Sequence, residues 1–256
     1  MYVKPKKHLG QHFLTDDGIA KKIVDALSLN TFNNVLEIGA GTGMLTKYLM
    51  EKDCKLKVIE LDTESVIYLK KNYLSLHDKI IEGDFLEMDL KEIFNDEFCI
   101  IGNFPYNIST EILFKVLENK DNVAEVIGMF QKEVAERVAS APGNKNYGIP
   151  SVLLQASYDV EYLFTVDENV FNPPPKVKSG VIRLERNMKK TLESNEAKFK
   201  QVVKTGFNQR RKTLRNSLKS LLANGNEGIP YLDKRPEQLS WKQFDELTVA
   251  IFKASV

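Results

Sequence analysis

The sequence has little cysteine and lacks any long apolar run. Cys54 and Cys99 are its two cysteines, and they lie far apart in otherwise apolar surroundings. This spacing argues against a disulfide framework or a zinc site and favours a reducing compartment. No apolar run approaches the roughly 20 residues that span a bilayer. Residues 1–12 also lack the apolar stretch of a signal peptide, so we expect a soluble, cytoplasmic protein without bound metal.

Net charge is nearly absent, but the charges are unevenly distributed. The chain has 36 basic and 35 acidic residues, a formal net charge of +1. Residues 1–15 contain three lysines and no acid, and residues 198–219 contain eight Lys or Arg and no acid. A charge run is often only a solvated face, but a run this long without compensating acids favours contact with phosphate.

Predicted strands alternate with predicted helices over the first 186 residues. The strands are expected at 34–38, 56–61, 79–82, 98–102 and 123–130. Ser109 is placed to cap the helix that follows the fourth strand. This alternation predicts an α/β fold with a doubly wound, mostly parallel sheet of Rossmann-like type. Two later apolar stretches, 152–164 and 180–185, predict an antiparallel addition at the sheet edge.

The pattern becomes helical after about residue 186. One helical face is predicted from the apolar spacing of Val203, Phe207, Leu214, Leu218 and Leu221. An adjacent stripe of the same helix carries Lys204, Arg211, Arg215 and Lys219. Ser240 and Gln243 form a capping box before a last helix. We therefore predict a first domain over 1–186 and a small helical domain over 187–256.

A glycine-rich loop and two acids predict a nucleoside site. Gly39 and Gly41 follow the first strand and open a helix, where glycine lets the backbone approach a ligand. Glu60 ends the second strand and is placed to accept both ribose hydroxyl protons. Asp84 ends the third strand and is placed to accept from an adenine amino group. The alternative is a tight turn without a ligand.

One residue of the glycine loop excludes a common class of cofactor. The dinucleotide fingerprint needs a small residue at position 44, and this chain has Met44. A pyrophosphate cofactor, and with it a nicotinamide-dependent dehydrogenase, is therefore disfavoured. S-adenosylmethionine, which contains adenosine but no phosphate, is the expected cofactor.

The fourth strand runs into Asn103-Phe104-Pro105-Tyr106. This sequence resembles the (N/D/S)-(P/L/F)-P-(Y/F/W) signature of amino-group methyltransferases that act on bases. An adenine amino nitrogen is a poor nucleophile because its lone pair is delocalised into the ring. If Asn103 Oδ1 and a backbone carbonyl accept its two hydrogens, the lone pair turns towards the methyl donor. Tyr106 offers a face for an extruded base, a contact worth ~1–3 kcal/mol. The alternative is a Pro-Tyr turn at a strand end.

Seven stretches of the chain together resemble the ribosomal RNA adenine dimethyltransferase family. They are GQHFL, VLEIGAGTG, VIELD, EGDFL, GNFPYNIST, FNPPPKVKSGVIRL and FNQRRKTLRNSL. The resemblance is closest to members that act in small-subunit biogenesis. It implies transfer of methyl groups from S-adenosylmethionine to the 6-amino groups of two adjacent adenosines. These adenosines lie in a hairpin loop near the 3′ end of bacterial small-subunit (16S) RNA.

The resemblance also implies roles for single residues. Residues 10–14 close over the methionine part of the cofactor, with His12 where the family usually has Asn. Phe171 flanks the target base opposite Tyr106, the alternative being an aromatic anchor that packs its loop. The implied cofactor-binding residues are His12, Leu14, Gly39, Gly41, Glu60, Asp84 and Asn103. The implied catalytic residues are Asn103, Tyr106 and Phe171, and the implied RNA-binding residues are Lys176, Arg210, Arg211 and Arg215.

Other functions compete with small-subunit dimethylation. A related enzyme acts on a large-subunit RNA adenine and confers macrolide resistance, but the basic RRKTLRNSL and PPPKVKSGV stretches favour the small subunit. A non-catalytic RNA-binding assembly factor is the third hypothesis. The intact set of Asn103, Tyr106, Glu60 and Asp84 counts against that factor. We expect a monomer that binds the small ribosomal subunit.

Overall fold

A computed structural model describes residues 3–29, 31–222 and 227–253. The remaining residues of the two predicted domains lie outside these ranges. The strands are β1 (Phe13–Leu14), β2 (Asn34–Ile38), β3 (Lys55–Glu60), β4 (Ile80–Glu82), β5 (Phe98–Asn103), β6 (Val123–Gln131), β7 (Tyr158–Val166), β8 (Phe171–Asn172) and β9 (Ser179–Arg186). The helices are α1 (Asp17–Val24), α2 (Thr46–Leu49), α3 (Thr63–Asn72), α4 (Ser109–Glu118), α5 (Lys132–Ala139), α6 (Ile149–Gln155), α7 (Glu196–Asn208), α8 (Leu214–Ser217) and α9 (Trp241–Lys253).

Seven of these strands form one sheet in the order β4-β3-β2-β5-β6-β9-β7. The first five strands in this order pair in parallel, and β9 pairs antiparallel with β6. The predicted α/β fold with a mostly parallel sheet and an antiparallel addition is therefore confirmed. Because neighbouring parallel strands end at the same edge, the carboxyl ends of β2, β3 and β5 lie together there.

Burial explains why these segments form strands. All five residues of β2 are buried, as are the first eight of β6, which is typical of strands covered on both faces. The buried carboxylate of Glu125 on β6 is compensated by polar partners: the Ser28 amide at 2.9 Å, the Ser28 hydroxyl at 2.9 Å and Arg183 Nε at 3.2 Å. A short second sheet joins β1 to β8 antiparallel, with Leu14 opposite Phe171.

The chain divides into two compact units, and the first is not continuous in sequence. One unit runs up to Ala135 and resumes over Asp159–Arg186. The other comprises Glu136–Tyr158 and the chain from Asn187 onward. The second junction falls at residue 186, the boundary expected from the sequence, whereas Glu136–Tyr158, expected in the first domain, groups with the second unit. The functional division into two domains remains a prediction.

Two local predictions differ from the structure, and a third is confirmed. Residues 152–155 belong to α6, because Pro150 in the first turn favours a helix start, and the strand begins only at Tyr158. Ser109 is the first residue of α4, and its hydroxyl donates to the Pro105 carbonyl instead of capping a free amide. The predicted capping box before α9 is present: the Ser240 amide donates to Gln243 Oε1 at 3.0 Å.

The helix predicted over residues 203–221 is interrupted. α7 ends at Asn208 and the backbone leaves the helical region at Gln209, with φ −124° and ψ 56°. α8 then starts after an extended Thr213. Arg211 and Arg215 therefore do not share one helical stripe with Lys204.

Cys54 and Cys99 are free thiols in the structure. Within the described ranges, no group of His, Cys, Asp and Glu is arranged to hold a metal ion. The helices of the described chain are too short or too polar for any of them to cross a bilayer.

Candidate active site

A cavity of about 270 Å³ opens at the carboxyl edge of the parallel strands. Its size is close to the roughly 300 Å³ at which small-molecule sites begin. Seven of the residues predicted for the site line it: His12, Gly39, Gly41, Glu60, Asp84, Asn103 and Tyr106. Leu14 lines a smaller neighbouring cavity together with Gly39 and Asn103. The strand ends thus bring together side chains that are far apart in sequence.

The glycine loop brings bare backbone to the cavity. Gly39 and Gly41 have φ values of 68° and 56°, a region that residues with a side chain rarely adopt. A Cβ on Gly39 would meet no atom closer than Pro105 Cδ at 4.0 Å, so it would project into open space. A Cβ on Gly41 would lie 2.7 Å from the Phe13 ring. The loop therefore leaves room for a ligand on one side and packs against the N-terminal segment on the other.

Glu60 is held rigidly by backbone amides. It is 4% exposed, and the Gly41 amide donates to its Oε2 at 2.8 Å while the Asp62 amide donates to its Oε1 at 2.9 Å. Burial raises the pKa of Glu60, and these two amides oppose that rise. Each oxygen keeps a further lone pair, so the carboxylate is oriented to accept two hydroxyl groups.

The N-terminal segment forms another wall of the cavity. Lys6 Nζ pairs with Asp62, and Gln11 Nε2 donates to the same carboxylate at 3.3 Å. The Asp62 amide is in turn one of the two donors to Glu60. Residues 6–11 are thereby fastened beside the predicted ribose site.

Asp84 sits in a loop that a lysine of α4 supports. Asp84 Oδ1 accepts the Leu86 amide at 2.8 Å. Lys115 Nζ donates to the carbonyl oxygens of Leu86 and Met88, both at 2.6 Å, and burial lowers its pKa. Phe85, beside Asp84, is buried and lines the cavity. Lys115 was not predicted as a site residue, because its position in a helical pattern does not indicate that it binds backbone carbonyls distant in the sequence.

The Asn103–Tyr106 turn presents an amide oxygen and an aromatic ring. Asn103 Nδ2 donates to the His12 carbonyl at 2.9 Å, which directs Oδ1 of the same amide away from that contact. The Tyr106 hydroxyl lies 2.5 Å from Ser179 Oγ. Burial raises the pKa of Tyr106, so the ring is a neutral phenol at physiological pH. Ser179, the hydrogen-bond partner of Tyr106, is a second residue near the site that the sequence analysis did not predict, after Lys115.

Glu37 is a further buried acid whose role the sequence reasoning did not assign. It lines the smaller cavity and is 1% exposed. Thr46 Oγ1 donates to its Oε2 at 2.7 Å. Burial, with a contribution from the Glu60 charge, raises the pKa of Glu37 to about 8. Its position at the end of VLE, next to the glycine loop, was the available signal. A cation bound in the cavity would stabilise its ionised form.

Phe171 is not among the residues that line either cavity. It is 4% exposed and belongs to the apolar core together with Leu14, its partner across the short sheet. This burial agrees with the alternative, an aromatic anchor that packs its loop. The role of Phe171 beside the target base remains a prediction.

The predicted RNA-binding residues differ in how free their charges are. Lys176 and Arg211 are exposed. Arg215 Nη2 is 3.0 Å from the carboxylate of Asp233. Arg210 donates to the Lys145 carbonyl and lies 3.9 Å from Glu237. Two of the four cations, Arg210 and Arg215, therefore already contact polar groups within the second unit.

These residues fit S-adenosylmethionine. Gly39 offers backbone that a Cβ would fill, and Glu60 offers an oriented carboxylate for vicinal hydroxyls. Asp84 adds an acceptor in the cavity, and Glu37, which lines the smaller neighbouring cavity, would ionise more readily beside a cationic ligand. The donor set therefore suits a positively charged nucleoside without phosphate.

Known proteins resemble this chain over nearly its whole length. The sequence pattern of the family described as "Ribosomal RNA adenine dimethylase" matches residues 3–252. "Ribosomal RNA small subunit methyltransferase A" of Cytophaga hutchinsonii is 60% identical over 249 residues, which cover 96% of each chain.

Two solved structures share the fold at lower sequence identity. A dimethyladenosine transferase from Plasmodium falciparum superimposes with a TM-score of 0.82 and 26% identity, covering 96% of this chain and 99% of that chain. The 23S rRNA methyltransferase ErmE gives a TM-score of 0.70 and 26% identity, covering 92% and 99%. The sheet and the cavity at its edge define a Rossmann-like methyltransferase that uses S-adenosylmethionine. The chain belongs to the ribosomal RNA adenine dimethylase family.

Proposed function

We propose that this enzyme dimethylates the 6-amino groups of two adjacent adenosines in a hairpin loop near the 3′ end of small-subunit ribosomal RNA, during small-subunit biogenesis. The observation that carries the proposal is the Asn103 amide. Its nitrogen is engaged by the His12 carbonyl at 2.9 Å, so its oxygen remains for the target amino group. The high identity to a small-subunit methyltransferase supports this choice of RNA.

The residues of this chain act mainly by alignment. When bound, S-adenosylmethionine would supply an electrophilic methyl group on a sulfonium, with the thioether as leaving group. Asn103 Oδ1 and a nearby backbone carbonyl would accept the two amino hydrogens and leave the nitrogen lone pair free to attack. Tyr106 supports the extruded base from one face. No strong base is required, because the amine is cationic and acidic after transfer. Most of the acceleration comes from orientation and fixed dipoles.

The cofactor is held by the groups at the strand ends. Glu60 accepts the ribose hydroxyls, Asp84 accepts from the adenine amino group, and the Gly39–Gly41 backbone passes close to the ligand. Leu14 and His12 belong to the segment that closes over the methionine part. The cavity positions of these residues and their hydrogen-bond partners support these roles.

The second unit contributes electrostatic affinity for the RNA. Arg210, Arg211 and Arg215 lie in a stretch without acids, and Lys176 extends the basic set in the first unit. Contacts of this kind go to phosphate and position the enzyme without reading sequence. We expect the enzyme to act as a monomer in the cytoplasm, which sedimentation and cell fractionation would test.

One experiment separates this function from its nearest competitor. The fold of ErmE, a 23S rRNA methyltransferase, covers 92% of this chain, so large-subunit RNA is the necessary comparison. Purified enzyme is incubated with labelled S-adenosylmethionine and either unmethylated small subunits or large-subunit RNA, and modified bases are mapped. We expect two adjacent dimethyladenosines in the small subunit alone. Labelling of large-subunit RNA alone would overturn the proposal, and binding without labelling would indicate a non-catalytic assembly factor.

A further inference from the structure

The loop that follows β4 carries several negative charges and no cation. Residues 80–90 contain no Lys or Arg and four acids: Glu82, Asp84, Glu87 and Asp89. One end of the loop is attached to β3, because the Gly83 amide donates to the Glu60 carbonyl at 3.0 Å. Asp84 and Phe85 then line the cavity. Repulsion among the carboxylates opposes a fixed loop conformation, so the loop depends on contacts from elsewhere.

Lys115 of α4 supplies such a contact. Its Nζ donates to the carbonyl oxygens of Leu86 and Met88, both at 2.6 Å. The same ammonium lies 5.5 Å from the centroid of the Phe85 ring, within the range of a cation–π contact. Burial lowers the pKa of Lys115, and the charges of Asp84 and other nearby acids oppose that change. One side chain thus contacts three residues of the loop and offsets its charge.

The helix that carries Lys115 also contacts the Asn103–Tyr106 turn. α4 begins at Ser109, whose buried hydroxyl donates to the Pro105 carbonyl at 3.1 Å. Lys115 lies six residues further on, or roughly 9 Å along the helix axis. Because a helix is a rigid element, α4 sets the spacing between the turn and the loop.

The contact with Leu86 connects Lys115 to the side chain of Asp84. Lys115 binds the Leu86 carbonyl, and the Leu86 amide donates to Asp84 Oδ1 at 2.8 Å. We propose that Lys115 is a positioning residue of the cofactor site, which holds this loop so that Asp84 can accept from the amino group of the cofactor's adenine. This inference rests on the proposed function, in which Asp84 accepts from that group, and adds the residue that sets its position.

A positioned acceptor makes the site selective for the amino group. An analogue of the cofactor without this group leaves the acceptor unpaired, and a site built for a hydrogen bond rejects such a ligand. If Lys115 is removed, the loop is free to shift and Asp84 loses its fixed position. The selectivity should then decrease more than the stability of the fold.

The test measures the binding of two ligands to the free enzyme by calorimetry. One is S-adenosylhomocysteine, and the other is its purine analogue, in which hydrogen replaces the 6-amino group. We expect wild type to bind the amino compound about tenfold more tightly, the effect of one hydrogen bond to a charged group. Lys115→Met removes the ammonium but keeps a side chain of similar length. It should weaken S-adenosylhomocysteine about tenfold and reduce the preference to within about twofold.

Two further variants control for loss of structure. Lys115→Arg can still donate to two carbonyls and should recover most of the preference. Lys71→Met, at an exposed lysine of α3, is the matched control and should bind both ligands as wild type does. Single-turnover transfer to small subunits at saturating S-adenosylmethionine should stay within about twofold for Lys115→Met. Thermal unfolding without ligand, unchanged within a few degrees, verifies that each variant is folded.

Asp84→Ala distinguishes a failure of this inference from a failure of the proposed role. This variant should lose the same preference, and adding Lys115→Met to it should change the ratio of the two Kd values by no more than about twofold. If Asp84→Ala loses the preference and Lys115→Met retains it, or weakens both ligands equally, the inference is wrong and the role of Asp84 stands. If Asp84→Ala retains the preference, that role fails and the inference fails with it.

Discussion

The cavity of the first unit and the basic stretch of the second place their polar groups in opposite ways. Glu60 and Glu37 are almost fully buried and have fixed hydrogen-bond donors. Arg211 is exposed, and Arg215 pairs with an exposed aspartate. Buried, pre-oriented groups are suited to distinguishing a transition state from a ground state. Exposed cations supply affinity that salt can screen. Substitutions in the two regions should therefore impair different properties of the enzyme.

The largest effect is expected at Asn103. Asn103→Ala removes the acceptor for the target amino group, so methyl transfer should fall by roughly 10²–10³ in kcat. S-adenosylmethionine binding should be weakened but still measurable. Single-turnover transfer to small subunits provides the measurement, with the exposed Asn33→Ala as control. Asn103→Asp retains an acceptor oxygen and should retain part of the rate. Unchanged turnover in the Ala variant would remove Asn103 from the mechanism.

A smaller effect is expected at Glu60, and it should appear in binding. Glu60→Gln loses the charge and turns a donor towards the Gly41 or Asp62 amide. Hydrogen bonds to charged groups contribute ~1.5–3 kcal/mol, so the Kd of S-adenosylmethionine should rise about 10- to 100-fold. Calorimetry on the free enzyme measures this directly, with the exposed Glu51→Gln as control. An unaltered Kd would contradict the ribose role.

The buried carboxyl of Glu37 should make stability depend on pH. Its pKa is about 8 in the folded protein and 4.5 in an unperturbed chain, so between these values the folded state binds more protons. The free energy of unfolding should therefore fall as pH rises through this window, by about 1 kcal/mol per pH unit. Glu37→Gln removes this contribution. Urea unfolding without cofactor at pH 5.5, 6.5 and 7.5 compares the two proteins, and parallel trends would refute the assignment.

The smallest effects are expected in the basic stretch. Arg211→Gln should reduce the slope of log affinity for RNA against log salt by about 0.7–0.9, the value for one phosphate contact. Arg215→Gln should change it less, because Asp233 already offsets part of that charge at 3.0 Å. Asp233→Asn should then strengthen binding. Slopes that none of these substitutions alters would mean that the stretch is solvated and does not meet RNA.

The cavity could largely be predicted from sequence because parallel strands place their ends at one edge. Gly39 follows β2, and Glu60 and Asn103 are the last residues of β3 and β5, which are strands with a clear apolar pattern. That these residues lie close together then follows from the sheet topology alone. The same logic extended to Asp84, whose loop follows β4. The expected roles of these residues remain predictions that the experiments above address.

Features that depend on long-range packing could not be predicted in the same way. The contact between the rings of His12 and Tyr106, with centroids 5.5 Å apart, joins residues more than 90 positions apart in the sequence. The helix break at Gln209 was hidden because apolar spacing continues on both sides of it. The apolar run at 152–155 fits a buried helix as well as a strand. Lys115 was missed because backbone carbonyls leave no trace in a sequence.

The discontinuous first unit has a consequence for anyone who shortens this chain. The second unit contains a chain of aromatic rings, in which Phe207 lies 6.5 Å from Tyr147 and 5.9 Å from Phe244. A polypeptide that stops after Arg186 retains Tyr147 and the leucines of α6 but loses the helices that cover them. Such a fragment would expose an apolar segment to solvent and would tend to aggregate. A clean dissection has to excise Glu136–Tyr158 as well and rejoin the ends.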